Sequence, residues 1–449
     1  MTAVRRLLLG GALVALALVA ACSKDKKVDQ PAKLTPLHAT VRVQRVWSAS
    51  VGDKKEAALR LGLGISIAND RVYAAGHKGD VVALDLAKGR VAWRTRTKTP
   101  LSGGTAASAD LVVVGGSDGQ LLALAAASGK MLWRVRLNGE VLAPAAISAR
   151  LIAVRTVDGK LHGLSPADGH ELWNAQQQVP RLSLRGTARP VIVGEVVLCG
   201  FDNGKVMAVN AADGSVQWEA TVTPPHGRTE LERLADIDSA VDVTGSDVYT
   251  VGFQGRVAML ALDTGQVWWS HEASSYRGLT LDDDALYLAT ADGEIVALKT
   301  RTGAELWRQK ALLHRGLSPI AVVGDELVIA DFQGYVHWLD KATGALAARE
   351  RSGKVRVSTA PVAAGNMVVV INDRGQISAW SVTPRAGAAA AKGAAAPPTP
   401  AKEAAAPAPA PAPQETPAPE TAPPPPAPET APPPPAPEAS APPPPQEHR

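Results

Sequence analysis

The chain repeats a short pattern of apolar and polar positions along most of its length. In one copy, residues 117–134 read SDGQLLALAAASGKMLWR, which contains a glycine turn, an alternating run, a second turn and a tryptophan. Alternation with a period of two is typical of a half-buried strand, and a glycine between two such runs favours a tight hairpin. A further apolar run precedes each turn, as in DLVVVGG and ELVIADF. Each copy therefore predicts a small antiparallel sheet of about four strands.

Seven tryptophans recur at an interval of roughly 40 to 50 residues and set the length of the repeat. They are Trp47, Trp93, Trp133, Trp173, Trp218, Trp269 and Trp307. Because a sheet of this size cannot bury both faces by itself, its copies have to stack, and radial stacking of four-stranded sheets produces a β-propeller. Eight turn sequences predict eight blades, with each tryptophan wedged between two of them. Ala348 stands at the remaining equivalent position, and we expect Trp338 to fill the space there.

The two ends of the repeat region predict how the ring closes. The last copy ends at ISAWSVT without its final strand, whereas the first copy is preceded by an unmatched strand, TVRVQRVWSAS. Pairing of these two strands completes the eighth blade and removes an exposed sheet edge. The predicted fold is therefore all-β, an eight-bladed β-propeller of four-stranded antiparallel blades over residues 39–384.

The amino terminus has the composition of an export signal. Two arginines precede fifteen apolar or glycine residues that end before Cys22, and this run is too short to span a bilayer core of about 30 Å as a helix. The sequence VAAC resembles a bacterial lipobox, which implies that residues 1–21 are removed and that Cys22 is lipidated. Residues 22–38 then form a lipidated linker. An ordinary secretory signal is the alternative.

The carboxyl-terminal residues 385–449 differ in composition from the rest of the chain. They consist mainly of alanine, proline, glutamate and threonine. Such a segment has too little apolar bulk to offset the entropy lost on ordering. We expect a disordered tail, which serves either as a solvated spacer or as a tether that contacts another component of the cell envelope.

Composition also excludes several classes of function. The net charge is +4 with both signs dispersed, which argues against nucleic acid as a partner. The nine histidines are scattered, with no pair at metal-ligand spacing, so we expect no metal site. Cys199 lies in an apolar run and is expected to be a small core residue. The sequence therefore predicts no catalytic residues and no cofactor.

The motif TGxxxW after an alternating strand resembles the repeat of quinoprotein-type propellers. The resemblance implies two functions of different classes. One is a dehydrogenase that depends on pyrroloquinoline quinone. Resemblance to such an enzyme implies an adjacent cysteine pair and a calcium site. This chain has no adjacent cysteines and is much shorter than those enzymes. The other is the BamB family of lipoproteins. Its members have an eight-bladed propeller that follows a lipidated amino terminus, and residues 22–384 resemble this arrangement.

Two unusually long connections give more specific support to the second resemblance. From each wedge tryptophan to the glycine of the next turn, the spacing is 26 residues after Trp93 and Trp133. It rises to 31 residues after Trp173 and to 37 after Trp218. The extra length falls in two neighbouring blades, so both connections are expected on one rim of the ring. Their sequences are VPRLSLRGTARP and TPPHGRTELERLADIDSA.

Both connections look like the BamB loops that bind the POTRA domains of BamA, the barrel-inserting subunit. Carried over by motif, the contact residues are Leu182, Leu184 and Arg185 of LSLRG, and Asp236 and Asp238 of RLADID. An apolar anchor with a charged rim suits a contact surface. The alternative is that the leucines pack under their own loop and that Arg185 pairs with one of the aspartates.

The BamB resemblance implies a non-catalytic scaffold of the outer-membrane β-barrel assembly complex. Its implied partners are the POTRA domains of BamA, the rest of that complex and nascent outer-membrane proteins. Its implied location is the periplasmic face of the outer membrane. The residue after the lipidated cysteine is Ser23, which favours the outer membrane over the inner one. Exposed strand edges are a further expected site for client strands.

Overall fold

The computed structural model describes residues 29–52, 63–184 and 186–384. Within these ranges thirty-two strands assemble into eight sheets, and each sheet holds four antiparallel strands. No helix in the described ranges is long and apolar enough to cross a membrane. The prediction of an all-β propeller with eight four-stranded blades is confirmed. The predicted signal peptide, the lipidated Cys22 and the tail of residues 385–449 lie outside the described residues.

The strands follow the chain around the ring. The first, β1 (Val41–Ser50), belongs to the last blade. Blade 1 consists of β2 (Ser66–Ala68), β3 (Arg71–Ala75), β4 (Asp80–Asp85) and β5 (Val91–Arg96). Blade 2 consists of β6 (Leu101–Ala107), β7 (Leu111–Gly116), β8 (Gln120–Ala125) and β9 (Met131–Arg136). Blade 3 consists of β10 (Ala146–Ile147), β11 (Ile152–Arg155), β12 (Lys160–Leu164) and β13 (Glu171–Gln176). Blade 4 consists of β14 (Val191–Val193), β15 (Val196–Gly200), β16 (Lys205–Asn210) and β17 (Val216–Thr221).

The second half of the ring repeats this order. Blade 5 consists of β18 (Asp242–Thr244), β19 (Asp247–Val251), β20 (Arg256–Ala261) and β21 (Val267–Glu272). Blade 6 consists of β22 (Leu279–Asp282), β23 (Ala285–Ala289), β24 (Ile295–Lys299) and β25 (Glu305–Gln309). Blade 7 consists of β26 (Ala321–Val323), β27 (Glu326–Ala330), β28 (Tyr335–Asp340) and β29 (Leu346–Arg351). Blade 8 consists of β30 (Val362–Ala364), β31 (Met367–Ile371), β32 (Gln376–Pro384) and β1.

The place of a strand within its blade determines how deeply it is buried. First strands of neighbouring blades contact one another, so they lie nearest the ring axis. The two middle strands are covered on both faces by adjacent blades, and apolar runs such as VMAV in β16 are buried without a break. Fourth strands form the rim, and in β17 exposed and buried residues alternate from Trp218 to Thr221. The alternating run QLLALA, which the sequence predicts to be half-buried, instead forms β8 and is buried at four consecutive residues, because adjacent blades cover both faces of a third strand.

The connections of the ring lie on two opposite sides. On one side, which we call the loop face, are the turns between second and third strands and the connections from each blade to the next. On the other side, the turn face, are the turns between first and second strands and between third and fourth strands. On the loop face, the carbonyl of Gly204 accepts hydrogen bonds from the N–H groups of Val222 and Thr223, at 3.0 and 3.1 Å. Such bonds fix each connection to the turn beside it.

On the turn face, the tryptophan of each blade closes the joint to the next blade. The ring of Trp218 lies against Gly265, where an added Cβ would be 2.4 Å from the indole, and Gly265 has a φ of 70°. Glycine is needed there both for the left-handed backbone and for the contact. The indole Nε1 donates to the carbonyl of Leu262 at 2.8 Å.

The same hydrogen bond is found at seven joints, which confirms the predicted wedges. The donor and acceptor residues are Trp47 and Leu86, Trp93 and Ala126, Trp133 and Pro166, Trp173 and Ala211, Trp218 and Leu262, Trp269 and Thr300, and Trp307 and Lys341.

The eighth joint, between blades 7 and 8, is built differently. Blade 8 takes its last two strands from opposite ends of the chain, so it has no turn at the place where a tryptophan would pack. Ala348 occupies the wedge position and is buried. Trp338 and Trp380 fill the space, with ring centroids 5.9 Å apart and planes at 71°. In the described part of the chain, neither indole Nε1 has a hydrogen-bond partner.

The pairing of β1 with β32 closes the ring, as the sequence predicts. The two strands are antiparallel, with Val41 opposite Pro384 and Ser50 opposite Gln376. The register shifts between Arg45 and Trp47.

Residues 29–40 lie against blade 7. Ala32 exchanges hydrogen bonds with the connection between blades 6 and 7: its N–H donates to the carbonyl of Leu313 and its carbonyl accepts from Arg315 Nη1, both at 2.9 Å. Near the turn face, the N–H of Thr40 donates to the carbonyl of Ala347 at 2.8 Å. The segment therefore runs along the outside of blade 7 from the loop face to the turn face.

Candidate functional site

The two long connections lie side by side on the loop face. We call residues 177–190, between blades 3 and 4, the first docking loop, and residues 222–241, between blades 4 and 5, the second docking loop. The second loop is fixed to neighbouring turns, because the Ile237 N–H donates to the Phe201 carbonyl at 3.2 Å and the Phe253 N–H donates to the Asp236 carbonyl at 2.8 Å. Both loops therefore emerge on one face, as their lengths predict.

A carboxylate of the second loop holds the backbone of the first. The N–H of Leu184 donates a hydrogen bond to Asp236 Oδ2. Nearby, an added Cβ on Gly186 would lie 2.8 Å from Asp238 Oδ2, so the backbone of the first loop passes directly over this carboxylate. The structure thus brings three of the predicted residues, Leu184, Asp236 and Asp238, into one cluster.

Burial changes the ionisation of both aspartates. The side chain of Asp236 has no exposed surface. Burial raises the pKa of Asp236 to about 6, against the opposite effects of the Leu184 N–H and Arg155. Burial, followed by the charges of Asp236 and Asp202, raises the pKa of Asp238 well above its ordinary value. In the described part of the chain, Oδ1 of each aspartate has no hydrogen-bond partner.

A buried ion pair lies beneath this cluster. Arg155, at the end of β11, forms an ion pair with Asp202 at 2.9 Å and donates to the carbonyl of Gly200 at 2.8 Å. Its guanidinium lies over the ring of Phe201, 4.3 Å from the centroid. One guanidinium therefore faces three carboxylates, which leaves an excess of negative charge under the first docking loop when all three are ionised. The sequence pattern did not indicate Arg155 or Asp202, because they meet through contacts between different blades.

Each docking loop exposes one leucine. Leu182, predicted as a contact residue, is 43% exposed, and Leu184 is half-buried. In the second loop Leu231 is 64% exposed, and sequence analysis did not single it out. It lies in a tight turn closed by Glu232, which accepts from the N–H groups of Arg228 and Thr229 at 2.7 and 3.1 Å. These backbone hydrogen bonds lower the pKa of Glu232.

Two further predictions concern single residues. Arg185 lies outside the described residues, so its predicted contact stays a prediction, as does its alternative pairing with an aspartate. Cys199 is fully buried in β15, and burial raises the pKa of its thiol to about 12. It is a core residue packed with its blade neighbours, as expected.

Comparisons with known proteins agree with the resemblance of the loops and repeats. A family model described as outer membrane protein assembly factor BamB matches residues 41–100, 77–309 and 291–410. The protein of that name from Pseudomonas aeruginosa is 45% identical over 369 residues, covering 82% of this chain and 97% of the relative. The one from Bordetella pertussis is 31% identical over 366 residues, covering 81% of this chain and 94% of the relative.

Solved structures show the same fold. The crystal structure of BamB from Moraxella catarrhalis matches with a TM-score of 0.69 and 28% identity, covering 76% of this chain and all of that one. The quinohemoprotein alcohol dehydrogenase from Comamonas testosteroni matches with a TM-score of 0.61, covering 76% of each chain, but at 12% identity this likeness concerns the fold alone. The chain therefore belongs to the BamB family of outer membrane protein assembly factors.

Proposed function

We propose that this protein is a non-catalytic scaffold lipoprotein of the outer-membrane β-barrel assembly complex, and that its docking loops bind the POTRA domains of BamA. The observation that carries the proposal is the pair of long loops that lie together on one face of a closed ring. A ring of stacked sheets holds such loops in a fixed relation, and a preorganised surface loses less entropy on binding than a mobile one. The function is to position BamA and to support folding and insertion of barrel proteins.

The contact surface that we propose combines apolar anchors with charged neighbours. Leu182 and Leu231 each expose a side chain, one from each docking loop. Together with the predicted contact residues Leu184 and Arg185, they have the composition of an interface centre, where a few apolar groups and arginines contribute most of the binding energy.

Asp236 and Asp238 contribute from beneath this surface. Because Asp236 is fully buried, it acts through the hydrogen bond that it accepts from the Leu184 N–H, which holds the backbone of the first docking loop in position. Asp238 lies under Gly186 and prevents that backbone from moving closer to the ring. The two carboxylates therefore keep the leucines presented to the partner.

The path of residues 29–40 supports a lipid anchor on the same side as the docking loops. Ala32 lies at the connection between blades 6 and 7, which belongs to the loop face. Seven residues from Cys22 to Asp29 reach about 25 Å at roughly 3.5 Å per residue. A lipidated Cys22 would hold the protein at the periplasmic face of the outer membrane with the docking loops at a high effective concentration near BamA.

The quinoprotein alternative receives no support from the residues of this chain. The resemblance to those enzymes implies two adjacent cysteines, and the sequence contains only Cys22 and Cys199. The Cys199 thiol is buried in an apolar cluster of the core.

Binding of the mature protein to the purified periplasmic domain of BamA tests the proposal. We expect the double variant Leu182→Ala, Leu231→Ala and the variant Arg185→Glu each to weaken binding at least about tenfold, as loss of interface anchors does. The matched control is Leu132→Ala with Leu172→Ala, two exposed rim leucines, which should leave the affinity unchanged. Full affinity in all loop variants would refute the proposed surface.

A further inference from the structure

Two arginines from different connections meet near the ring axis on the loop face. Arg277 precedes β22 in the connection between blades 5 and 6, and Arg356 lies in the connection between blades 7 and 8. Arg277 Nη1 donates to the carbonyl of Ser358 at 3.4 Å, although blades 6 and 7 lie between the two connections that hold these residues. A contact that passes the inner ends of two blades is possible only close to the axis.

Neither guanidinium has the partners that buried arginines have elsewhere in this ring. Arg155 pairs with Asp202 at 2.9 Å and Arg315 pairs with Asp331 at 2.7 Å. By contrast, Arg277 and Arg356 form no ion pair among the described residues, and their Nε atoms, like that of Arg155, are buried without a hydrogen-bond partner. The ion pairs found within the described ranges involve other cations.

The electrostatics of the pair indicate a missing negative charge. Burial lowers the pKa of Arg277, and the charge of Arg356 lowers it further. Asp373 is the carboxylate that acts on both arginines, yet it accepts hydrogen bonds from the N–H and Oγ of Ser358, at 3.3 and 2.6 Å. Two like charges held together without a direct counter-charge are unfavourable unless a ligand supplies one.

We infer that Arg277 and Arg356 form a binding site for an oxyanion, a carboxylate or a phosphate group, near the ring axis on the loop face. A guanidinium presents parallel N–H groups that match the oxygens of either anion. The ring of Tyr276 lies 4.5 Å from the Arg277 guanidinium and limits its orientation. Because both arginines lie in connections of the face that carries the docking loops, the acidic side chain of a bound polypeptide is one source of the anion, and free phosphate is the other.

Titration of the full mature protein tests the site. The probes are inorganic phosphate, followed by phosphorus NMR line width, and a hexaglutamate peptide, followed by fluorescence anisotropy, at constant ionic strength. We expect Arg277→Gln and Arg356→Gln each to weaken binding about tenfold or more, since each removes a charged hydrogen-bond donor. The control Arg150→Gln removes an exposed arginine on the turn face and should bind as the wild type does.

The two probes distinguish the source of the anion. Arginine-dependent binding of hexaglutamate that is tighter than that of phosphate supports a polypeptide carboxylate, whereas arginine-dependent binding of phosphate alone supports a free anion. Equal binding by wild type, Arg277→Gln and Arg356→Gln would overturn the inference, and so would no binding of either probe.

A stability measurement separates a binding site from a purely structural role. In buffer without oxyanions, Arg356→Gln should melt at or above the temperature of the wild type, because repulsion between the two guanidiniums is removed. Addition of phosphate should raise the melting temperature of the wild type more than that of the variant. A variant that melts lower in both buffers contradicts the inference. The site does not depend on the docking loops, so Leu182→Ala should bind phosphate normally.

Discussion

The two faces of the ring are made by the same repeat and yet differ in nearly every physical respect. On the turn face, seven joints have the same structure. In each, an indole packs on a glycine of the next blade, and the indole N–H donates a hydrogen bond to a carbonyl of that blade. On the loop face, connections differ in length, and several charged groups are buried without full compensation, among them Asp236, Asp238 and Arg277. The comparison indicates that the turn face stabilises the ring, whereas the loop face is less stable because it holds the charged groups that lie beside or within our proposed binding sites.

The largest expected effect comes from removing a wedge on the turn face. Trp218→Ala should lower the free energy of unfolding by about 3–5 kcal/mol, because a large buried side chain is replaced by a cavity and a hydrogen bond to Leu262 is lost. The control Trp268→Ala removes a neighbouring tryptophan that is 57% exposed and should cost far less. Urea denaturation measures both. Equal losses would mean that the joints do not hold the ring together.

On the loop face we expect a substitution that stabilises. The pKa of Asp236 is raised to about 6 in the folded protein, against an ordinary value of 3.8. The folded state therefore binds this proton more tightly than the unfolded state, and stability falls as pH rises from about 4 to about 6 and stays lower above it.

Asp236→Asn removes this charge and keeps an oxygen for the Leu184 N–H. It should raise the free energy of unfolding at pH 7.5 by roughly 1–3 kcal/mol and flatten the pH dependence between pH 4 and 6. Denaturation curves across this range measure the effect. A loss of stability at neutral pH would show that the ionised carboxylate is favourable in the fold.

The smallest expected effect compares a regular joint with the eighth one. Trp218→Phe leaves the carbonyl of Leu262 without its donor, whereas Trp380→Phe removes an N–H that has no partner among the described residues. Both changes lose similar volume, so Trp218→Phe should cost about 1 kcal/mol more, the net value of one hydrogen bond. Thermal unfolding of the two variants gives the difference, and the opposite order would contradict our description of the joints.

Much of the fold could be predicted because the propeller is encoded locally. The spacing of Trp93, Trp133 and their equivalents gives the length of the repeat, the eight turn sequences give the blade count, and the missing strand after ISAWSVT indicates how the ring closes. The position of Ala348 is explained only by the structure. A tryptophan is useful where the next blade offers a glycine turn, and the blade completed by β1 offers none.

The candidate site could be predicted only in part. Loop length was enough to predict that both docking loops lie on one face. The motif resemblance predicts Leu182, Leu184, Arg185, Asp236 and Asp238 as contact residues, and this stays a prediction. The burial of Asp236 was not predictable, because it depends on how the two loops lie against each other. The meeting of Arg277 with Arg356 involves connections about eighty residues apart in sequence, and no local pattern marks such a pair.

Joining the first strand to the last also determines the order in which the molecule can be completed during biogenesis. The strand β1 is synthesised before all other described strands, yet its partner β32 (Gln376–Pro384) is synthesised last. The new chain must therefore keep an unsatisfied sheet edge apart from other edges until nearly the whole ring has been made, a period in which strand exchange with a second copy is the principal hazard. Translation that stops before Gln376 leaves β1 with no sheet to enter, so quality control of this protein can act on a single late event.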